Sequence, residues 1–215
     1  MRATYQRELE SIERQALDGV DVALDALANA LRALALHDPE RAGAVIAADD
    51  HLDAHCMQTQ AAALTLLARQ APVACDLRLI VALIDIATRV ERVGDQCVTI
   101  AKLVALDGFE GPLDRDLLDR LALMGSTAGA LLSEAKEAFV NRDVELARQL
   151  RERDRAVNAL NREVFDRSIE TGSDRDIRAW AMHMTLVARC LERVGDNAVG
   201  IASHTEFVAT GRTGR

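Results

Sequence analysis

Apolar residues recur at helical spacing along almost the whole chain. One such series runs through Val20, Leu24, Leu27 and Leu31, and steps of three and four residues place side chains on one face of an α-helix. The chain has only three prolines, so long stretches contain no helix breaker. The pattern predicts six helices, at about residues 9–36, 39–70, 73–105, 113–140, 144–170 and 175–209.

Breaker residues separate these predicted helices. Asp38 and Pro39 form the first break, because aspartate favours the N-cap and proline the first helical position. Asp143 and Asp174 are predicted N-caps of the same kind, and Gly172 is a predicted C-cap. The Gly- and Pro-containing stretch in the middle reads as a linker. The chain therefore divides into a first bundle, a linker, a second bundle and a frayed tail, at residues 1–106, 107–112, 113–210 and 211–215.

The two halves are copies of one unit. Residues 91–102 and 192–203 agree at eight of twelve positions, and both begin Glu-Arg-Val-Gly-Asp. The preceding helical hairpins also align, with Asp49 over Asp154. Short connections favour antiparallel neighbours. The fold class is therefore predicted to be all-α, with six long helices forming two duplicated three-helix bundles.

Composition narrows the classes of function. Hydrophobic residues make up 49% of the chain and aromatic residues only 3%, which suits a helical core of Ala, Leu, Val and Ile. The formal net charge is -8, and with no basic stripe we expect no direct nucleic-acid binding. No apolar run reaches the ~20 residues that span a bilayer. Four cysteines without paired spacing predict reduced, buried thiols in a cytoplasmic protein.

The repeated motif carries the candidate chemistry. Two acidic residues four apart share one helix face and repel each other, and the interior Gly94 and Gly195 each cost ~1 kcal/mol relative to alanine. Something should compensate, namely a cation between the carboxylates and close helix packing at the glycine. Acidic residues on the second helix of each unit complete two oxygen-rich clusters that suit a hard or borderline cation. The candidate metal ligands are Asp49, Asp53, Glu91, Asp95, Asp154, Glu192 and Asp196.

A simpler interpretation stays open for these acids. They could form a solvated helix face, neutralised by nearby arginines such as Arg89 and Arg189. His51 and His55 lack counterparts in the second half, which favours an ordinary exposed pair. His204 is isolated, and Arg78 is most simply paired with an acid at the start of its helix. No nucleophile, acid and base occur together, so the sequence predicts no enzyme.

At these residues the sequence resembles the PhoU family of bacterial phosphate-signalling proteins. The resemblance rests on residues 71–78, 89–95 and 191–199, and on the acidic pairs of the second helices. It covers essentially the whole chain. Two copies of the motif at this spacing, each after a matching hairpin, make it specific.

The resemblance implies a function and partners. PhoU-like proteins are six-helix, commonly dimeric proteins of the cytoplasm. They couple a phosphate ABC transporter to a sensor histidine kinase, and repress the phosphate-starvation response when phosphate is plentiful. Some bind metal clusters, so the resemblance implies divalent or trivalent ions (iron, Mn, Mg or Zn) at the acidic residues above. Any membrane association would run through the partners.

The chain departs from the family pattern at three positions. Thr99 and Gly200 stand where a fourth motif residue, usually asparagine, is expected, and Asn158 replaces a carboxylate of the second site. We therefore expect the second site to bind metal more weakly than the first. Two alternatives remain, namely a metal-carboxylate binding or storage protein whose main role is cation binding, and a helical scaffold with incidental acids.

Overall fold

The computed structural model describes residues 2–106, 114–172 and 174–212. These ranges fold into six α-helices and contain no strand, which confirms the predicted all-α class. The helices are α1 (Arg2–Leu36), α2 (Pro39–Gln70), α3 (Ala74–Leu106), α4 (Arg115–Asn141), α5 (Val144–Ile169) and α6 (Arg175–Thr210). The predicted linker, 107–112, and the end of the predicted tail, 213–215, lie outside the described residues.

The predicted N-caps start their helices as expected. The Asp38 carboxylate accepts the backbone N–H of Arg41 at 2.9 Å, and proline occupies the first turn of α2. The Asp143 side chain accepts a backbone N–H at 2.9 Å at the start of α5, and Asp174 accepts two at the start of α6. Each cap satisfies donors that the first helical turn leaves without intrahelical partners.

The start of α1 differs most from the prediction, and bounds of α3, α4, α5 and α6 differ by one or two residues. Helix α1 begins at Arg2 instead of residue 9, because Tyr5 is buried one turn ahead of Leu9 and extends the same apolar face. Helix α5 ends at Ile169, one residue early, and the backbone at Glu170 closes it. Gly172 is left-handed, with φ at +69°, but it shapes the following turn and is not the C-cap.

Each half forms a three-helix bundle, as predicted. Helices α1, α2 and α3 pack on one another, and α4, α5 and α6 do the same. Within the described residues, α2 contacts only its own bundle, and so does α5. The core is continuous through both bundles. Of the four free cysteines three are buried, while Cys75, in the first turn of α3, is exposed and contradicts the prediction.

The bundles join along two antiparallel helix pairs. On α1 and α4, Leu27 lies against Gly129 and Leu31 against Gly125, so the two helices run in opposite directions. On α3 and α6, Asp85 contacts His204, while α6 residues nearer its start lie beside α3 residues nearer its end. The central helices are therefore α1, α3, α4 and α6, with α2 and α5 on the outside.

One polar clasp ties α3 to α6. The Asp85 carboxylate accepts a hydrogen bond from the Arg89 Nε at 2.5 Å and lies 2.6 Å from the His204 Nε2. Hydrogen bonding to His204 is the main cause that lowers the pKa of Asp85 to about 2, and Arg89 adds to it. A side chain at Gly200 would collide with the Arg89 guanidinium, so this departure from the family pattern makes room for the clasp. His204 is therefore not isolated, contrary to the sequence interpretation.

The clasp occurs once, although the fold is duplicated. In the register that aligns the two motifs, Asp85 corresponds to Leu186 and Arg89 to Cys190. Apolar side chains thus occupy the symmetry-related positions.

In the described ranges no helix contains an apolar stretch long enough to cross a membrane.

The clasp predicts a pH dependence of stability. A carboxylate with a depressed native pKa stabilises the fold above its unfolded pKa of ~4, and this contribution is lost as the pH falls toward 2. We expect Asp85→Asn to lower the free energy of unfolding at pH 7 by about 1 kcal/mol, a value discounted for the solvent exposure of this side chain. Urea unfolding at pH 7, 4 and 2 measures the effect, and the variant's deficit should shrink between pH 4 and 2.

Asp119→Asn provides the control, because Asp119 is exposed and makes no ion pair within the described ranges. It should leave the free energy of unfolding nearly unchanged at all three pH values. A deficit of Asp85→Asn that stays constant down to pH 2 contradicts the assigned role of the clasp.

Candidate functional site: two carboxylate clusters

The motif glycines lie where α3 and α6 cross the outer helices. A Cβ atom on Gly94 would lie 2.7 Å from the Leu52 Cδ2 and 3.2 Å from the Asp49 Oδ1. A Cβ atom on Gly195 would lie 2.5 Å from the Asp154 Oδ1. Real Cβ atoms do not approach other atoms this closely, so glycine permits both crossings. The predicted close packing is confirmed, and equivalent aspartates face equivalent glycines in the two repeats.

The first cluster brings together acids from α2 and α3. Asp49 and Asp53 lie on α2, and Glu91 and Asp95 on α3. Partial burial raises the pKa of Asp49, and the charges of Asp53 and Asp95 raise it further, while Lys102 opposes them. These carboxylates are therefore close enough to repel one another.

Glu91 and Asp53 both lie near the buried Cys56, which places Glu91 in this cluster. Burial raises the pKa of Cys56 to about 12, with further contributions from Glu91 and then Asp53. The thiol thus stays protonated at neutral pH in the metal-free protein and is not poised as a nucleophile. The first cluster offers oxygen donors.

The second cluster contains the most buried acid of the seven. Asp154 on α5 is 9% exposed, and its Oδ2 accepts a hydrogen bond from the Asn158 Nδ2 at 2.8 Å. Its Oδ1 is buried without a hydrogen-bond partner in the described part of the protein. Burial raises the pKa of Asp154, followed by the charge of Asp196 and, more weakly, that of Glu192. Burial and then Glu192 also raise the pKa of Asp196.

Two amides distinguish the second cluster from the first. Asn161 donates a hydrogen bond to the Glu192 carboxylate at 3.0 Å, and Arg189 forms an ion pair with the same carboxylate. In the register of the hairpins, Asn158 replaces Asp53 and Asn161 replaces Cys56. The sequence interpretation missed Asn161, although that alignment places it beside the motif. Glu192 is therefore partly neutralised.

The donor chemistry fits a hard cation, but the ligand atoms do not converge. Carboxylate oxygens suit Mg, Mn or iron, and the unpartnered oxygen of Asp154 is a group that a cation or proton would satisfy. However, among the residues that the structure describes, no three His, Cys, Asp or Glu side chains are arranged to hold a metal ion. The seven predicted ligands thus lie in two clusters, and their role as ligands stays a prediction.

Two sequence interpretations near the site are wrong. His55 is half-buried, with its Nε2 2.7 Å from the backbone carbonyl of Gln15, so it links α2 to α1. Of these two histidines only His51 is exposed, so they do not form the predicted exposed pair. Arg78 is not paired with an acid on its own helix. It donates to the Cys75 Sγ at 3.1 Å and, across the repeats, to the Val208 carbonyl at 3.4 Å.

Comparison with known proteins identifies the family. The sequence profile of the PhoU domain matches residues 19–104 and 121–205, one copy in each bundle. The chain belongs to the PhoU family. The phosphate-specific transport system accessory protein PhoU homolog 1 of Mycobacterium leprae is 31% identical over 211 residues, covering 98% of this chain and 95% of that protein. The PhoU homolog of Rhizobium meliloti is 32% identical over 211 residues, with coverage of 97% and 88%.

Solved structures share the PhoU fold. The phosphate transport system regulatory protein PhoU from Streptococcus pneumoniae superposes with a TM-score of 0.90 at 24% identity, covering 98% of this chain and 99% of that one. PhoU from Pseudomonas aeruginosa gives 0.88 at 26% identity, covering 97% and 100%. The duplicated six-helix architecture is confirmed over nearly the full length.

The glycine crossings predict that a change from glycine to alanine lowers stability at a crossing and raises it at an open helix position. Gly195→Ala pushes a Cβ into the Asp154 carboxylate, so we expect a loss of about 1–3 kcal/mol in the free energy of unfolding. Gly43→Ala on α2 is the matched control, because nothing lies within 4 Å of its Cβ position. It should stabilise the protein by about 0.5–1 kcal/mol through helix propensity. Chemical denaturation measures both, and equal stabilisation by the two variants contradicts the close crossing.

Proposed function

We propose that this PhoU-family protein is a non-enzymatic cytoplasmic regulator of phosphate signalling. It couples a phosphate ABC transporter to a sensor histidine kinase and represses the phosphate-starvation response, acting as a homodimer. One observation carries the proposal: both bundles match the PhoU domain, and full-length relatives are named phosphate-specific transport system accessory proteins. Control of transcription is then indirect, through the kinase.

The chemistry of the clusters supports a regulatory role over a catalytic one. The first cluster consists of carboxylates beside the protonated thiol of Cys56, and the second of carboxylates beside two amides and an arginine. A nucleophile positioned by a base is the usual requirement for covalent catalysis. The long outer helices α2 and α5 leave extended surfaces for protein contacts.

We also propose that the clusters bind a metal ion, with iron, Mn, Mg and Zn as candidates. Repulsion among the acids raises the pKa of Asp49, Asp154 and Asp196, after burial in each case. A cation would relieve that repulsion and satisfy the free oxygen of Asp154. It would supply charge neutralisation at the crossing between a central and an outer helix.

Metal binding as the main role is the second candidate function. The burial of Asp154 and its unpartnered oxygen favour it. The two candidates differ in what deletion of the gene does. A storage protein changes cellular metal content and leaves phosphate signalling intact, whereas a regulator changes phosphate signalling.

The burial of Asp154 predicts how a metal ion and a substitution at this residue affect stability. Because its native pKa is raised above its unfolded value of ~4, the ionised form of Asp154 destabilises the fold, and this penalty grows as the pH rises from the unfolded pKa through the native one. In chelator-treated protein, Asp154→Asn should therefore raise Tm by about 3 °C. Mn should raise the Tm of the wild type more than that of the variant, in which only the first cluster is intact. Calorimetry with and without Mn measures both effects.

Asp119→Asn, remote from the clusters, serves again as the control and should respond to Mn as the wild type does. Metal analysis of protein purified without chelator accompanies the melts. If the protein contains no metal and Mn leaves the Tm unchanged, the metal proposal fails.

The regulatory role predicts a phenotype. Deleting the gene should switch on a phosphate-starvation reporter in phosphate-rich medium, and the intact gene should restore repression. If the clusters are the working site, Glu91→Ala combined with Glu192→Ala should fail to restore it at equal protein levels. Glu10→Ala with Asp119→Ala, exposed on the central helices α1 and α4, is the control pair and should restore it. Unchanged reporter activity after deletion rules out the regulator.

A further inference from the structure

A groove between α5 and α6 exposes an unusual number of large apolar side chains. Two adjoining depressions of about 230 and 400 Å³ share Phe165 and Thr185 and form one continuous groove. Phe165 is 57% exposed, Ile169 70% and Met182 61%. The neighbouring Leu186 is 52% exposed, one turn beyond Met182. A contiguous apolar surface of this kind marks an interaction site more often than a solvated face.

Arginines line the groove of this acidic protein. Arg162 on α5 and Arg178 and Arg189 on α6 lie along it, against a single acid, Asp166. Arg162 and Arg178 are exposed and make no ion pair within the described ranges, whereas Arg189 is paired with Glu192. The groove is therefore locally basic, although the chain carries a net charge of -8.

The equivalent surface of the first repeat lacks these three arginines. The register of the repeats places Met57, Leu77 and Thr88 where the second repeat has Arg162, Arg178 and Arg189. Apolar side chains are also exposed on this surface of α2 and α3, with Met57 67%, Leu64 54%, Leu77 38% and Val81 43% exposed. The duplicated fold therefore does not require arginines at these positions.

We infer that the α5/α6 groove docks an amphipathic helix of a partner protein whose apolar stripe is bordered by acidic side chains. Arg162 on α5 and Arg178 on α6 make no ion pair within the described ranges, so their guanidinium groups are available to acids along the borders of a docked helix. Such a helix presents apolar anchors at i, i+3 or i+4, and i+7. Phe165 and Met182 provide adaptable contact area, and the planar guanidinium groups pair with carboxylates in two-pronged fashion. The docking rests on the groove's own chemistry and goes beyond the proposed role in phosphate signalling.

A pair of designed peptides tests the docking. The probe is a fluorescent, conformationally stapled helix of about 15 residues, with leucines at the anchor positions and glutamates along both borders. Its twin carries lysines instead. Fluorescence anisotropy with the full chain should show binding of the glutamate probe and about tenfold weaker binding of the lysine probe.

Variants locate the binding site. Arg162→Glu with Arg178→Glu should lower the affinity for the glutamate probe by about tenfold and raise the affinity for the lysine probe. Met57→Glu with Leu77→Glu, at the equivalent positions of the first repeat, is the matched control and should leave the affinity for the glutamate probe within about twofold. Circular dichroism and urea unfolding establish that both variants are folded. Because the charge reversal predicts a gain for one probe, loss of folding cannot imitate the expected result.

Four outcomes would overturn the docking. They are equal binding of the two probes, no binding of either, equal loss in the control pair, and a loss for both probes in folded Arg162→Glu with Arg178→Glu. Two measurements address other occupants of the groove. If Phe165→Ser changes the mass in light scattering, a second copy of this chain occupies it. If vesicles of anionic lipid compete with the probe, the groove binds a membrane surface. Either result overturns the partner-helix proposal.

Discussion

The close crossing between a motif glycine and an outer helix is the constraint on which both clusters depend. Gly94 and Gly195 let α3 and α6 approach until a side chain would meet Asp49 or Asp154. Short contact places carboxylates of two helices side by side, and burial there raises their pKa. The cost in helix propensity and charge repulsion is thus concentrated at one place in each repeat, where a ligand gains most by relieving it.

The two repeats have diverged at positions away from these crossings. The clasp of Asp85, Arg89 and His204 lies on one side of the interface between repeats, and leucine and cysteine occupy the related positions. The outer surfaces of the repeats show the same divergence, because arginines line the α5/α6 groove where the first repeat has Met57, Leu77 and Thr88. Shared positions fix the backbone crossings, whereas unshared positions lie on surfaces and at the interface. Two similar bundles can therefore present different surfaces to different partners.

Local features were readable from the sequence, and long-range ones were not. The N-caps and the helix periodicity involve residues within one turn, so Asp38, Asp143 and the six helices were predicted. The alignment of the repeats also predicted that the acidic pairs of neighbouring helices lie near each other, whereas the contact of Asp49 and Asp154 with the glycines came from the structure. The contacts of His55 and Arg78 depend on the register between helices distant in sequence, which no local pattern encodes. The sequence nominated the acids, but only the structure shows how unequally they are buried.

The unequal burial of the acids changes how the two clusters rank as candidate metal sites. Counting carboxylates favours the first, which has four, over the second, which has three with two amides beside them. The strength of an ion's interaction depends on its surroundings as well as on charge, because Coulomb energy rises as the local dielectric falls. Asp154 is the acid most removed from water, and one of its oxygens lacks a partner in the described structure. Asn158 and Asn161 also orient the carboxylates they contact. The second cluster therefore has fewer charges, but two of its carboxylates accept side-chain hydrogen bonds, and carboxylate number alone does not rank the sites.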